Sequence, residues 1–151
     1  MYFPSKKDLL FFLIFWGIIL FLVGVYFVGG EPSGFQLIAY DSLIGIIINV
    51  LLIGFLLWIW FGTGYLVEDG KIVIRSGPFK TTVPIGEIKK LSKTKNPFSA
   101  PALSINRMEI LYGHYKVALI SPDHEEKFVV MLLEENPRIE LDEKLKNHIE
   151  L

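Results

Sequence analysis

The chain opens with two long apolar runs and then changes to short alternating ones. Leu9 to Val28 reads LLFFLIFWGIILFLVGVYFV, twenty residues without a charge, and Leu43 to Phe61 reads LIGIIINVLLIGFLLWIWF, nineteen more. As helices rising about 1.5 Å per residue, each would be roughly 30 Å long, the thickness of a bilayer's hydrocarbon core. Residues 29–42 alone separate them, so the pattern predicts a transmembrane helical hairpin.

Gly62-Thr63-Gly64 breaks the second run, and a period of two takes over. Tyr65 to Val67 and Lys71 to Arg75 flank Glu68-Asp69-Gly70, where Gly70 accepts the positive φ of a tight hairpin. Ser76-Gly77-Pro78 forms the next turn, and Phe79 to Ile85 places Phe79, Thr81, Val83 and Ile85 on one half-buried face. Lys89 to Lys95, KKLSKTK, is too polar for a central strand and suits a sheet edge. A loop follows at 96–101. Ser104 to Tyr112 and Tyr115 to Ile120 then pair around Gly113-His114, the second burying Tyr115, Val117 and Leu119 or the opposite set. Ser121 is placed to cap a helix that has Pro122 in its first position and Asp123, Glu125 and Glu126 at the positive end of its dipole. Phe128, Val129, Met131, Leu132 and Leu133 give that helix its apolar face, and Asn136-Pro137 ends it. Leu141, Leu145 and Ile149 suggest one amphipathic turn in the tail.

Composition supports the membrane reading: 52% of the 151 residues are hydrophobic, a surplus held in the two runs. A cleaved signal peptide would have a shorter apolar region and a small-residue cleavage site, whereas the first run ends Tyr26-Phe27-Val28-Gly29-Gly30. The segment between the runs carries Glu31 and Asp41 but no Lys or Arg, while Lys6, Lys7, Lys71, Arg75 and Lys80 lie on the other side. The positive-inside bias therefore places both termini and the β-rich domain in the cytoplasm of a multi-pass cell-membrane protein. Cysteine is absent, which suits a reducing compartment without requiring one. Asn49 is the one strongly polar side chain inside either run, read as a hydrogen bond across the hairpin or to a second copy. Gly17, Gly24, Gly45 and Gly54 permit close helix approach without G-x-x-x-G spacing. Tyr2, Trp58, Trp60 and Tyr65 sit near the ends of the runs, where an aromatic belt is expected.

Charge divides the soluble part. Residues 62–121 carry nine basic and four acidic side chains, and 122–151 carry four basic and nine acidic. A basic sheet could face anionic headgroups through Lys89, Lys90, Lys93 and Lys95; the same lysines equally describe a solvated edge. Arg107 could bind a phosphate or carboxylate through its planar fork, or brace Glu109, Glu87 or a loop carbonyl. Ser104 has the same two readings, ligand contact or brace for the loop before it. Catalysis finds no support: Ser92-x-x-Lys95 lacks its companion motifs, and His114, His124 and His148 lack metal-ligand spacing. No cofactor or metal is called for. Nucleic-acid binding lacks both stacking aromatics and net basic charge.

Tyr65 to Lys71, Ile74 to Pro78, Val83-Pro84-Ile85 with Glu87-Ile88, Pro101 to Ile110, and Ile120-Ser121-Pro122 with Phe128 resemble small bacterial membrane proteins with a YyaB-like PH domain, a pleckstrin-homology-like family. The Pro101-Ala102-Leu103-Ser104 segment with Arg107 is its most specific part. The resemblance implies a bent sheet of about seven strands, against six counted from the pattern, capped by a C-terminal helix; it supplies no activity.

The expected fold is α+β: a transmembrane α-hairpin followed by a PH-like bent antiparallel β-sheet or barrel with a C-terminal capping helix. Its parts are an N-terminus (1–8), spans (9–28 and 43–61) joined by an extracytoplasmic loop (29–42), the PH-like domain (62–136) and a tail (137–151). The expected function is a non-enzymatic, membrane-integral interaction module for a protein partner, its own copy or lipid headgroups. The alternative is an accessory or regulatory subunit of a membrane transporter or envelope-stress system, acting through its spans.

Overall fold

The computed structural model describes residues 1–28, 42–95, 103–147 and 149. The connection between the apolar runs, the loop from 96 with Pro101 and Ala102, and His148 lie outside them. Helix α1 spans Leu9–Val28 and α2 spans Leu43–Gly62. Both are long and apolar enough to cross a membrane, and only 6% of either run is buried within the protein, unlike the core helix of a soluble domain. Asn49 Nδ2 donates to the Leu22 carbonyl at 3.1 Å, the expected bond across the hairpin. Trp60 stacks on Phe15 at 4.3 Å. A side chain at Gly17, Gly24 or Gly54 would meet nothing within 4 Å, so these glycines do not set the helix approach.

Two four-stranded sheets follow. The first is ordered β1-β2-β3-β4, with β1 Tyr2–Pro4, β2 Gly64–Glu68, β3 Lys71–Ser76 and β4 Phe79–Pro84, all antiparallel. The second is ordered β7-β6-β5-β8, with β5 Ile88–Thr94, β6 Arg107–Tyr112, β7 Lys116–Ile120 and β8 Glu140–Leu141. A 3-10 turn, Ile85–Glu87, joins the sheets, and helix α3, Glu125–Glu135, closes one side. Phe3, Tyr65, Ile72, Ile74 and Val83 from one sheet meet Leu91, Met108, Ile110 and Ile120 from the other. Phe128, Val129 and Leu132 of α3 complete the core. A short helix α4, Glu143–Lys146, adds Leu145, and Ile149 is buried beside it, as the tail pattern suggested.

Several elements differ from the sequence reading. Tyr2–Pro4, given no element by the pattern, is the outer strand of the first sheet, pairing Phe3 with Tyr65. The core thus draws on residues before 62 and after 136. Strand β5 is not an edge: β6 flanks it on one side, and β8 covers Lys90 and Leu91 on the other, in parallel register. A register shift between Ile88 and Lys90 lets both Ile88 and Leu91 face inward despite their odd spacing. On β7 it is Ala118 and Ile120 that are buried, with Leu119, while Tyr115 and Val117 are exposed. Helix α3 begins after His124, not at Ser121, because Ser121 is buried in contacts to the N-terminal segment and Pro122 bridges Ser5. On β4, Val83 is buried as expected but Phe79 and Thr81 are exposed, because that end of the strand runs beyond the core.

Candidate functional site

One end of the domain is fastened to the apolar helices at several points. Just before α1, Lys6 N donates to Ser121 O at 2.7 Å. Ser5 is the hub of this end. Its hydroxyl accepts from Leu103 N at 3.3 Å, lies 3.2 Å from the Ser121 hydroxyl, and accepts from the Tyr65 hydroxyl at 3.3 Å. Tyr65 in turn accepts from Ser121 N at 2.9 Å, so it is a buried strut and not an interfacial belt residue. Burial pushes the Tyr65 hydroxyl above its ordinary pKa, against the opposing effect of these bonds. Trp60, buried on Phe15, is likewise a packing residue, while Trp58 remains exposed.

Ser104 and Arg107 belong to the same junction. The Ser104 hydroxyl donates to Asp8 Oδ2 at 2.6 Å, and Ile105 N donates to the same oxygen at 2.9 Å. Burial alone would raise the Asp8 carboxyl, but these two bonds, the charge of Lys6 and the Asn106 backbone amide together outweigh it and hold the group below its ordinary value. The carboxylate thereby fixes the loop before β6 to the start of α1. Arg107 Nε donates to the Ser104 carbonyl at 2.7 Å, with its guanidinium 5.8 Å from the centre of the Phe11 ring. Burial lowers its pKa from the ordinary arginine value. On the other side of the junction, Thr63 Oγ1 donates to Ile59 O at 2.7 Å and lies 3.3 Å from the Ser76 hydroxyl.

The strand registers carry the chain away from this junction. Gly64 lies opposite Arg75, and Glu68 opposite Lys71; Thr94 lies opposite Arg107, and Ile88 opposite Tyr112. The β2–β3 turn, the 3-10 turn and the β6–β7 turn therefore gather at the far end, joined by Ile85 N to Gly70 O at 2.9 Å and Gly113 N to Glu87 O at 3.1 Å. Six residues of β3 separate the ends, roughly 20 Å of strand.

An open groove of about 760 Å³ lies at this far end. Ile88 and Leu111 line its apolar part, and Glu87, Lys89, Lys90, His114, Arg138 and Glu140 supply charged or titratable groups. Asn136 fixes one wall: its side-chain amide donates to Ile85 O at 2.9 Å and to Ile88 O at 3.3 Å, tying the end of α3 to the start of β5. The four lysines named from the sequence are consequently divided. Lys89 and Lys90 line the groove, with Lys89 also 5.8 Å from the Tyr115 ring centre. Lys93 forms an ion pair with Glu125 at 3.1 Å. Lys95 is exposed beyond the end of β5, toward the junction. Arg138, Glu140 and Asn136 had no signal as groove residues, since only the return of the tail to β5 brings them there.

Comparison with known proteins places this arrangement. A family model described as a bacterial PH domain matches residues 63–136. The chain is 30% identical over 103 residues to the uncharacterised protein YyaB of Bacillus subtilis (strain 168), an alignment covering 66% of this chain and 70% of that protein. No solved structure gives a significant match.

Proposed function

This chain belongs to the bacterial PH-domain family, and from that premise we propose that it is a membrane-anchored, non-enzymatic interaction module whose far groove takes a segment of a protein partner in the cytoplasm. The anchor is the helical hairpin. Both termini lie on the same side of it, because the first strand, ahead of α1, pairs with β2 beyond α2. The absence of Lys and Arg between the helices, against Lys6, Lys7, Arg75 and Lys80 on the domain side, favours the cytoplasm for that side.

The observation that carries the reading is the one-ended attachment. Contacts from Ser5, Asp8, Phe11 and Ile59 all grip the same end of the domain, which turns the groove away from its own bilayer. Lys89 and Lys90 then stand five and four residues before Thr94 at the anchored end, roughly 13–17 Å of strand. The attraction of a lipid surface decays over about 8 Å at physiological salt, so these lysines gain little from headgroups of the same membrane. An apolar floor with a rim of mixed charge suits a protein segment that buries one apolar residue between charged flanks. Ser104 and Arg107 act here as positioning residues for the junction.

The test is a photoreactive residue in place of His114 in the full-length protein in cells. It should give a discrete adduct with a cytoplasmic protein, abolished by Lys89→Glu with Lys90→Glu while insertion and thermal unfolding stay unchanged. An adduct indifferent to the double charge reversal would overturn the groove assignment. Capture of an extracytoplasmic protein would overturn the orientation.

A further inference from the structure

The strand pattern assigns Phe79 to the core, and the structure leaves it 64% exposed. It lies on the same face of β4 as buried Val83, opposite Ser76, yet nothing of the core reaches it. The turn that precedes it is pressed against α2. A Cβ on Gly77, whose φ is +55°, would lie 3.0 Å from Ile59 Cγ1 and 3.3 Å from Ile59 Cα; a Cβ on Gly62 would lie 3.4 Å from Gly77 Cα. Ile59 belongs to the apolar run and stands three residues before the helix ends at Gly62, about 4.5 Å along the axis. The turn is therefore level with the last turn of the apolar helix. Phe79, two residues on, cannot be more than about 7 Å from Gly77.

We infer that the β3–β4 turn is a membrane-interface wedge: Phe79 lies among lipid headgroups and upper acyl chains, flanked by Arg75 and Lys80 facing anionic headgroups. Arg75 and Lys80 are exposed and directly opposite one another in the β3–β4 register. Trp58 and Phe61, both exposed on the final turns of α2, continue the same ring around the helix. The headgroup zone is about 5–7 Å deep on each side of the hydrocarbon core, which matches the reach of the turn from Ile59. With Gly77 packed on the helix backbone, the wedge also fixes how the domain is inclined on its anchor. The inference rests on the proposed membrane crossing, and the two are separable by experiment.

The chain has no cysteine, so single cysteines introduced at Phe79, Leu51 and Tyr115 each carry one environment-sensitive fluorophore in the full-length protein. Leu51 is 67% exposed in mid-helix, and Tyr115 is 88% exposed at the far end of the domain. In vesicles of neutral and anionic phospholipid, the label at 79 should emit to the blue of that at 115. Shallow lipid-borne nitroxides should quench it strongly and aqueous iodide weakly, while the label at 51 responds to deep nitroxides. Arg75→Glu with Lys80→Glu should shift the emission at 79 toward that of water. If 51 reports lipid but 79 behaves like 115, the wedge is overturned and the anchor stands; if 51 also reports water, both fall.

Discussion

At the scale of single residues, the junction between anchor and domain depends on short polar side chains whose neighbours in space are far away in sequence. Asp8 accepts from the Ser104 hydroxyl and the Ile105 amide, and it is held below its ordinary pKa. A carboxyl with a lowered folded pKa stabilises the protein fully above the ordinary carboxylate range, and that contribution is lost as pH falls through the folded value. Ser104→Ala removes one donor and should cost about 1 kcal/mol at neutral pH. Because the bond to Asp8 is made to the ionised form, the gap in thermal unfolding between variant and parent in detergent should narrow as the pH is brought below the carboxylate range, leaving the share that comes from the Ser104 bonds to Asn106. A gap that stays constant with pH would mean that Ser104 acts through Asn106 and packing, not through Asp8. Ser104 could be picked out from the sequence, but Asp8 could not: a lone acid just before an apolar run looks like an ordinary flanking charge until the loop before β6 is folded onto it.

Whole elements were legible where their signal is local. The apolar helices, the turn at Asp69-Gly70, the β6–β7 pair and the end of α3 at Asn136 follow from period, punctuation and capping, and they occur as those rules require. Strand β1 was hidden because three residues containing a proline have no readable period, and its partner begins beyond both apolar helices. The Ser121-Pro122 signal was real but was outcompeted, since Ser5 and Tyr65 use the groups that would have capped α3. Half of the groove was equally hidden, since Arg138 and Glu140 reach β5 only through the parallel pairing of β8. The strand that no pattern announced is energetically central. Phe3 is buried, edge-to-face with Phe128 at 5.1 Å, and Phe3→Ala should cost about 3–5 kcal/mol of domain stability. For the same reason a fragment of residues 62–136, which lacks Phe3, Leu145 and Ile149, should show no cooperative unfolding by calorimetry; a sharp transition equal to that of the full chain would show these core contacts to be dispensable.

For the molecule as a whole, the division of labour between helices and domain is open to a direct experiment, provided the junction is respected. Replacing both helices outright would remove Phe11, Phe15, Ile59 and Trp60, which pack the anchor against itself and against the domain, and a loss of function would then mean only a loosened domain. Exchanging residues 17–28 and 43–54 alone for unrelated apolar sequence keeps those contacts and sacrifices the Asn49 to Leu22 bond, worth roughly 1 kcal/mol across a membrane hairpin. If the groove carries recognition, the exchanged protein should insert, unfold at nearly the parent temperature and retain its adduct through position 114. If the adduct disappears while insertion and unfolding persist, the partner is read through the helices, and the chain acts as an accessory subunit within the bilayer. The first outcome is expected because the exchanged halves carry no Asp, Glu, Lys, Arg or His and offer lipid-like apolar surface, whereas the groove at the other extreme of the molecule brings two lysines, an arginine and two glutamates around an apolar floor. Charged groups arranged at fixed positions discriminate between partners, and apolar surface in a bilayer gains little by leaving lipid for another helix.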